Sequence, residues 1–221
     1  HATFVAAAGL YTGRWFDPKF VKDEQDPERR DARLWSETAA KTIVSACREQ
    51  PGQVTEESKP TTQMSPGLFD LTSLQREANS RFGFSAKATL ALAQTLYERH
   101  KALTYPRTDS RYLPEDYLPT VKETVAALAE APGGAAASVQ PFAKQLGESG
   151  WIKPNKRIFD NKKVSDHFAI IPTLQVPKEL SDAESKIYEL VTRRFLAVFF
   201  PPAEFRVTTR ITEVQGHHFK T

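Results

Sequence analysis

Cys47 is the single cysteine in 221 residues, so no internal disulfide can form and no cysteine-based metal cage exists. A reducing compartment, with a cytoplasmic location, is the expectation that follows. No apolar run approaches the about 20 residues that a membrane span needs, which argues against a membrane partner. The opening HATFVAAAGLYTGRW has too short an apolar part, and no basic lead, for a secretory signal. Neither a glycine-rich phosphate loop nor an HExxH or Cys/His metal spacing appears. Charge of one sign is also scarce. The net value is only +3, so bulk charge gives no reason to place the chain on nucleic acid. Acidic pairs such as Asp23-Glu24 and Glu56-Glu57 lie in polar stretches and read as solvated charge rather than metal ligands.

With 40% hydrophobic and 26% charged residues, the composition is that of a globular protein with real cores. Thr3–Ala8 and Leu10–Phe16 are β-compatible and separated by Gly9, as in a hairpin. Ser36 opens a helix to about Glu49, with Ala39, Ala40, Ile43, Val44 and Cys47 on one face. Residues 53–63 are polar and Thr-rich, hence extended or linker-like. Two helices follow, one capped by Asp70 or Thr72 and ended by Gly83, the next capped by Ser85. Residues 116–130 and 141–149 are helical, with a Gly/Ala loop at 132–137. The strongest helix starts at Ser181, has Ile187, Leu190, Val191, Phe195 and Val198 on one stripe, and stops at Pro201-Pro202. Phe205–Val214 alternates as a half-buried strand. The expected class is α+β, with a helical block inserted in a small β-rich domain. The expected boundaries are 1–64 with 204–221 for the β-rich part and 65–203 for the helical part. Both ends read as cuts within a longer protein.

One segment concentrates chemistry: LTYPRTDSRY, from Leu103 to Tyr112. A phenol ordinarily titrates near about 10, so a tyrosine nucleophile needs help at neutral pH. In an extended backbone Arg107 shares a face with Tyr105, where a guanidinium favours phenolate and holds a phosphate oxygen. Asp109, two further along, is expected to orient Arg107 through a charge-assisted pair. Pro106 stiffens the presentation. The combination suits attack on a phosphodiester, although a surface strand with an exposed ion pair has the same spelling. A second feature is the basic stretch KPNKRIFDNKK, in which Lys153, Lys156, Arg157, Lys162 and Lys163 stand against a single Asp. It is a candidate DNA-binding patch, or else a solvated loop.

The string LTYPRTDSRYLP resembles the nucleophile motif of the type IA DNA topoisomerases, and its Pro and Arg-Tyr-Leu-Pro continuation resembles the topoisomerase III branch. Residues 66–98 (PGLFDLTSLQREANSRFGFSAKATLALAQTLYE) are similar to the family's segment just upstream, and SDHFAIIPT (165–173) to its Asp-His-x-Ala-Ile-x-Pro-Thr element. The resemblance implies that Tyr105 is the nucleophile forming a 5′-phosphotyrosine link to a single DNA strand. It also implies that Arg107 positions the scissile phosphate and that His167 relays a proton or stabilises the transition state. Asp109 ranks lower, as a supporting partner of Arg107 or of a backbone donor. It further implies a tyrosine-bearing helical domain inserted in an arch-like β domain, a bacterial isomerase that needs no ATP, and Mg²⁺ held by a Toprim domain outside this sequence. DNA, the Toprim domain and the remaining domains of the parent chain are the implied partners. A fragment without that domain is expected not to relax supercoiled DNA alone.

Other readings of the chain are open. A non-catalytic single-stranded DNA-binding module would use the helix pair and the basic stretch. A tyrosine recombinase would place its tyrosine near the C-terminus, and an initiator nuclease would need a His-rich metal site. A structural domain explains the aromatic helix stripe of Phe195, Phe199 and Phe200 but not the three ordered strings.

Overall fold

A computed structural model describes residues 1–221 apart from Asp23, Gln25, Pro27 and Pro132, so the expectation for Asp23 falls outside the described residues, as does Pro132 in the Gly/Ala loop. The described chain forms two compact units, one of His1–Thr62 with Glu204–Thr221 and one of Gln63–Ala203. It carries six α-helices and a five-stranded sheet, which makes it α+β.

The first unit holds the sheet: β1 (Ala2–Ala6), β2 (Gly9–Phe16), β3 (Gln53–Gln63), β4 (Ala203–Val214) and β5 (His217–Lys220), in the order β1-β2-β5-β4-β3. β1 and β2 make the expected hairpin, with Phe4 opposite Tyr11. β2 then pairs antiparallel with β5, Trp15 opposite Phe219, so the N-terminal hairpin is joined to the C-terminal strands. Gly13 is required at that junction: a β-carbon there would lie 2.9 Å from Phe219 Cβ. Residues 53–63, read as extended or linker-like, form the edge strand β3, exposed along its length. Ser58 and Thr208 hydroxyls meet at 2.6 Å and Glu56 pairs with Arg210, which ties this polar strand to β4 without apolar burial. Helix α1 (Glu37–Cys47) starts where Ser36 accepts from Ala39 N. Its apolar stripe is only half-buried, and Val44 is 58% exposed.

The second unit is helical: α2 (Leu71–Phe82), α3 (Ala86–Glu98), α4 (Leu118–Glu130), α5 (Gln140–Ser149) and α6 (Asp182–Ala197). Caps set the starts. Asp70 and Ser73 form a reciprocal capping box on α2, Ser85 caps α3, and Ser181 with Glu184 forms a second box on α6. Gly83 ends α2 in the left-handed region at φ 71°, where a side chain would be strained. The α6 stripe is buried on both sides of its seam. Ile187, Tyr188 and Val191 join Leu74, Ala78, Ala93 and Leu96 of α2 and α3. Phe195, Leu196 and Phe199 join Val121, Val125, Leu128 and Leu146 of α4 and α5. Residues 103–109 and 168–171, both read as strand-like, form only isolated bridges, Leu103 with Pro172 and Phe69 with Ile170.

Candidate active site

The segment 103–113 is pinned at both ends in the two cores. Leu103 (1% exposed) belongs to the α2–α3–α6 cluster and Leu113 (0%) to the α4–α5–α6 cluster. Between them the backbone runs beside residues 158–173. Thr104 N donates to Ile171 O at 3.0 Å. The Thr104 hydroxyl donates to Ala169 O and accepts from Ile171 N, both at 2.9 Å. Thr108 Oγ1 donates to His167 O at 3.0 Å, and Ser110 Oγ to Lys163 O at 2.8 Å. Farther along, Ala169 N donates to Tyr112 O and Leu113 N to Ile158 O. Threonine and serine hydroxyls thus supply bonds that a regular ladder would take from the main chain.

This stitching sorts the side chains into two faces. Pro106, Thr108 and Ser110 are buried, whereas Arg107 and Asp109 are exposed and Tyr105 is half-buried. The same-face expectation for Tyr105, Arg107 and Asp109 therefore matches. His167 is brought to the same place because its carbonyl is held by Thr108. The Tyr105 and His167 rings lie 4.3 Å apart between centroids, tilted by 43°. Tyr97, on the last turn of α3, meets Tyr105 edge-on at 5.4 Å.

The expected Arg107–Asp109 pair is not made, and this is a correction. The Asp109 carboxylate instead accepts from Ser165 Oγ at 3.1 Å. With the Gln94 amide oxygen turned toward it, Arg107 donates to Gln94 from Nε at 3.3 Å and from Nη2 at 3.2 Å. Alternate residues share a face, but their long side chains diverge: one leans toward α3, the other toward the 165–167 turn. A neutral amide orients the guanidinium without cancelling its charge, which leaves Arg107 better able to meet an anion than a carboxylate partner would. The sequence of the 66–98 string shows its resemblance and its helical packing faces. That Gln94 and Tyr97 reach the Tyr105 segment needed the third dimension.

The basic stretch is only partly free. Lys156 is paired with Glu115 at 2.5 Å; the carboxyl of Glu115 is held below its usual value by that bond. Lys163 donates to Tyr112 Oη at 3.1 Å and lies 3.8 Å from Asp160, and the Tyr112 contact raises its ammonium above the usual value. Arg157 turns inward, giving Nη2 to the carbonyl and hydroxyl of Ser65, both at 3.0 Å. Lys153 and Lys162 are exposed and make no side-chain ion pair among the described residues.

The family model described as DNA topoisomerase matches residues 14–221. The chain belongs to the DNA topoisomerase family. The type IA, topoisomerase III resemblance drawn from the three strings agrees with the relatives. Proteins named DNA topoisomerase 3 match from Bacillus licheniformis (39% identical, covering 88% of this chain and 26% of that protein) and from Shouchella clausii (43%, 95% and 27%). A third, from Bacillus cereus, is 44% identical, covering 86% and 25%. The topoisomerase chain thus spans about a quarter of the length of the curated relatives it matches. Among solved structures, full-length topoisomerase I from Thermotoga maritima shares the fold at TM-score 0.54 and 22% identity, over 88% of this chain and 30% of that one.

Proposed function

We propose that this chain is the part of a type IA topoisomerase that carries the nucleophile, with Tyr105 attacking a phosphodiester of a single DNA strand. The observation that carries the reading is the Tyr105 ring set 4.3 Å from His167, on the face that also presents an unneutralised Arg107. In the reaction the phenolic oxygen gives up its proton and bonds to phosphorus. The bond from phosphorus to the 3′ oxygen breaks, and that oxygen takes a proton to leave as a hydroxyl. The 5′ phosphate stays on Tyr105. Resealing is the reverse, the hydroxyl displacing the phenolate. One phosphodiester is exchanged for another, so the cycle needs no ATP. Arg107 holds the non-bridging oxygens where charge develops, and His167 serves the proton transfers.

In this reading the helical unit is the tyrosine domain and the β unit belongs to an arch that carries it. Within the basic stretch 153–163, Lys153 and Lys162 are the side chains left to meet DNA phosphates, and Asp109 acts at one remove through the Ser165 turn. Among the described residues no three His, Cys, Asp or Glu side chains are grouped to hold a metal ion. The described residues therefore offer no Mg²⁺ site, and no step here is routed through one. The Mg²⁺-binding Toprim domain that the family reading implies belongs to the rest of the parent protein, which acts in the cytoplasm in this account.

The test is Tyr105→Phe in the whole enzyme. Covalent DNA capture after denaturant quench falls to background while binding of single-stranded DNA persists. Capture that survives the change removes Tyr105 from the nucleophile's role.

A further inference from the structure

Beside the Tyr105 phenol lies a cavity of about 330 Å³, lined by Tyr97, Lys101, Tyr105, His167, Phe168 and Thr173 among others. That volume is at the small end of ligand pockets, about 300–1,000 Å³. Four of the six named residues present rings. The threonine hydroxyls on its wall are committed: Thr173 Oγ1 donates to Lys101 O at 2.6 Å, and Thr104 Oγ1 is held between Ala169 O and Ile171 N. The ringed walls can therefore stack a flat ligand.

Lys101 marks the rim. Among the described residues it is one of three non-glycine residues with positive φ (54°), a conformation that a side chain disfavours and that tends to persist where surrounding bonds enforce it. Those bonds are present. The Lys101 carbonyl is fixed by Thr173, and the next residue's N–H donates to Leu96 O at 2.8 Å. The turn carries the chain directly from α3 into the Tyr105 segment. The Lys101 ammonium lies 5.8 Å from the Tyr97 ring centroid. Lys101 is exposed and makes no ion pair among the described residues.

We infer that this cavity is a base-stacking subsite, which takes the unstacked base of a nucleotide adjoining the attacked phosphate while Lys101 meets a phosphate of the same strand. The inference rests on Tyr105 being the nucleophile, because the strand must pass that phenol for its neighbouring base to reach the rings. Paired bases of a duplex are not available to such a pocket, so the subsite selects single-stranded DNA. Stacking on aromatic faces accepts any base, so the subsite discriminates little among the four.

The test uses the whole enzyme carrying Tyr105→Phe, so that no strand is cut, and single-stranded oligonucleotides with 2-aminopurine placed at each position in turn. One position flanking the cleavage point shows quenched fluorescence. An abasic site at that position weakens binding roughly fivefold or more, in keeping with about 1–3 kcal/mol per stacked base. The four natural bases there bind within about threefold of one another. Adding Tyr97→Leu abolishes the quench, and adding Tyr97→Trp restores it, which separates loss of stacking from loss of fold. Adding Lys101→Gln lowers the slope of log affinity against log salt by about 0.7, one phosphate contact. A scan with no quenched position, or an abasic site that binds as tightly as a base, overturns the subsite. The two readings fail separately: a null scan with Tyr105-dependent capture intact removes only the subsite, whereas capture that survives Tyr105→Phe removes the nucleophile assignment beneath it.

Discussion

The helical unit Gln63–Ala203 buries Phe69, Leu74, Leu96, Tyr188 and Phe195 completely, whereas the β unit buries only Val214 and Phe219 among its described apolar residues. In the β unit Val5 is 86% and Leu10 72% exposed, and β3 faces solvent along its length. The difference teaches where a reactive side chain can be held to a fraction of an ångström. A site is positioned by packed neighbours whose own rotamers are fixed. Tyr105 sits on an irregular segment, but one whose two ends are driven into dense cores. The β unit keeps its shape mainly through main-chain pairing and polar ties.

The sharpest way to break that comparison is a matched pair of substitutions. Phe195→Ala, in the seam of α6, costs about 3–5 kcal/mol of stability, and Leu10→Ser about 0.5 kcal/mol or less, both read by urea denaturation. Equal losses would erase the contrast. An alkaline titration comes next. Burial pushes the Tyr188 phenol up to about 12, so the neutral form is favoured in the folded state. A raised folded value means that this stabilisation is complete below the ordinary phenol range near about 10 and is lost as pH rises from there toward about 12. Tyr188→Phe flattens the fall in melting temperature across that window; an unchanged profile would place the alkaline weakness elsewhere.

A smaller effect sharpens the account of the site. Thr104→Val removes the hydroxyl shared by Ala169 O and Ile171 N and leaves both main-chain groups short of a partner. The expected loss is about 1–3 kcal/mol, with a fall in the rate of covalent capture that exceeds the fall in DNA affinity. If stability drops while the capture rate holds, the stitching supports the fold without aligning Tyr105.

Much of the helical unit can be read from the chain, and the reason is local. Ser85 and Ser181 cap helices where their hydroxyl stands before an apolar period, as expected, and of the two candidates Asp70 and Thr72 it is Asp70 that caps α2. The α6 stripe is equally plain, because a 3.6-residue period sustained over four turns has no other interpretation. Strand-like runs are less dependable. Residues 103–109 have the composition of a strand, yet Thr104 and Thr108 hydroxyls take the main-chain partners and leave only a bridge at Leu103. Conversely, the polar run 53–63 pairs as β3 because edge pairing needs main-chain groups rather than apolar side chains. Alternation was enough to place Tyr105, Arg107 and Asp109 on one face. It was not enough to pair Arg107, since its partner Gln94 lies a helix away in the chain.

Tyr97 meets the Tyr105 ring and Tyr112 lies on the same 103–113 segment, yet only Tyr105 is assigned as the nucleophile. Peptide mapping of the adduct trapped from the whole enzyme on a single-stranded oligonucleotide tests that assignment most directly. The account predicts the nucleotide remnant on Tyr105, linked through a 5′ phosphate. A remnant on Tyr97 or Tyr112, or one linked through a 3′ phosphate, would contradict it.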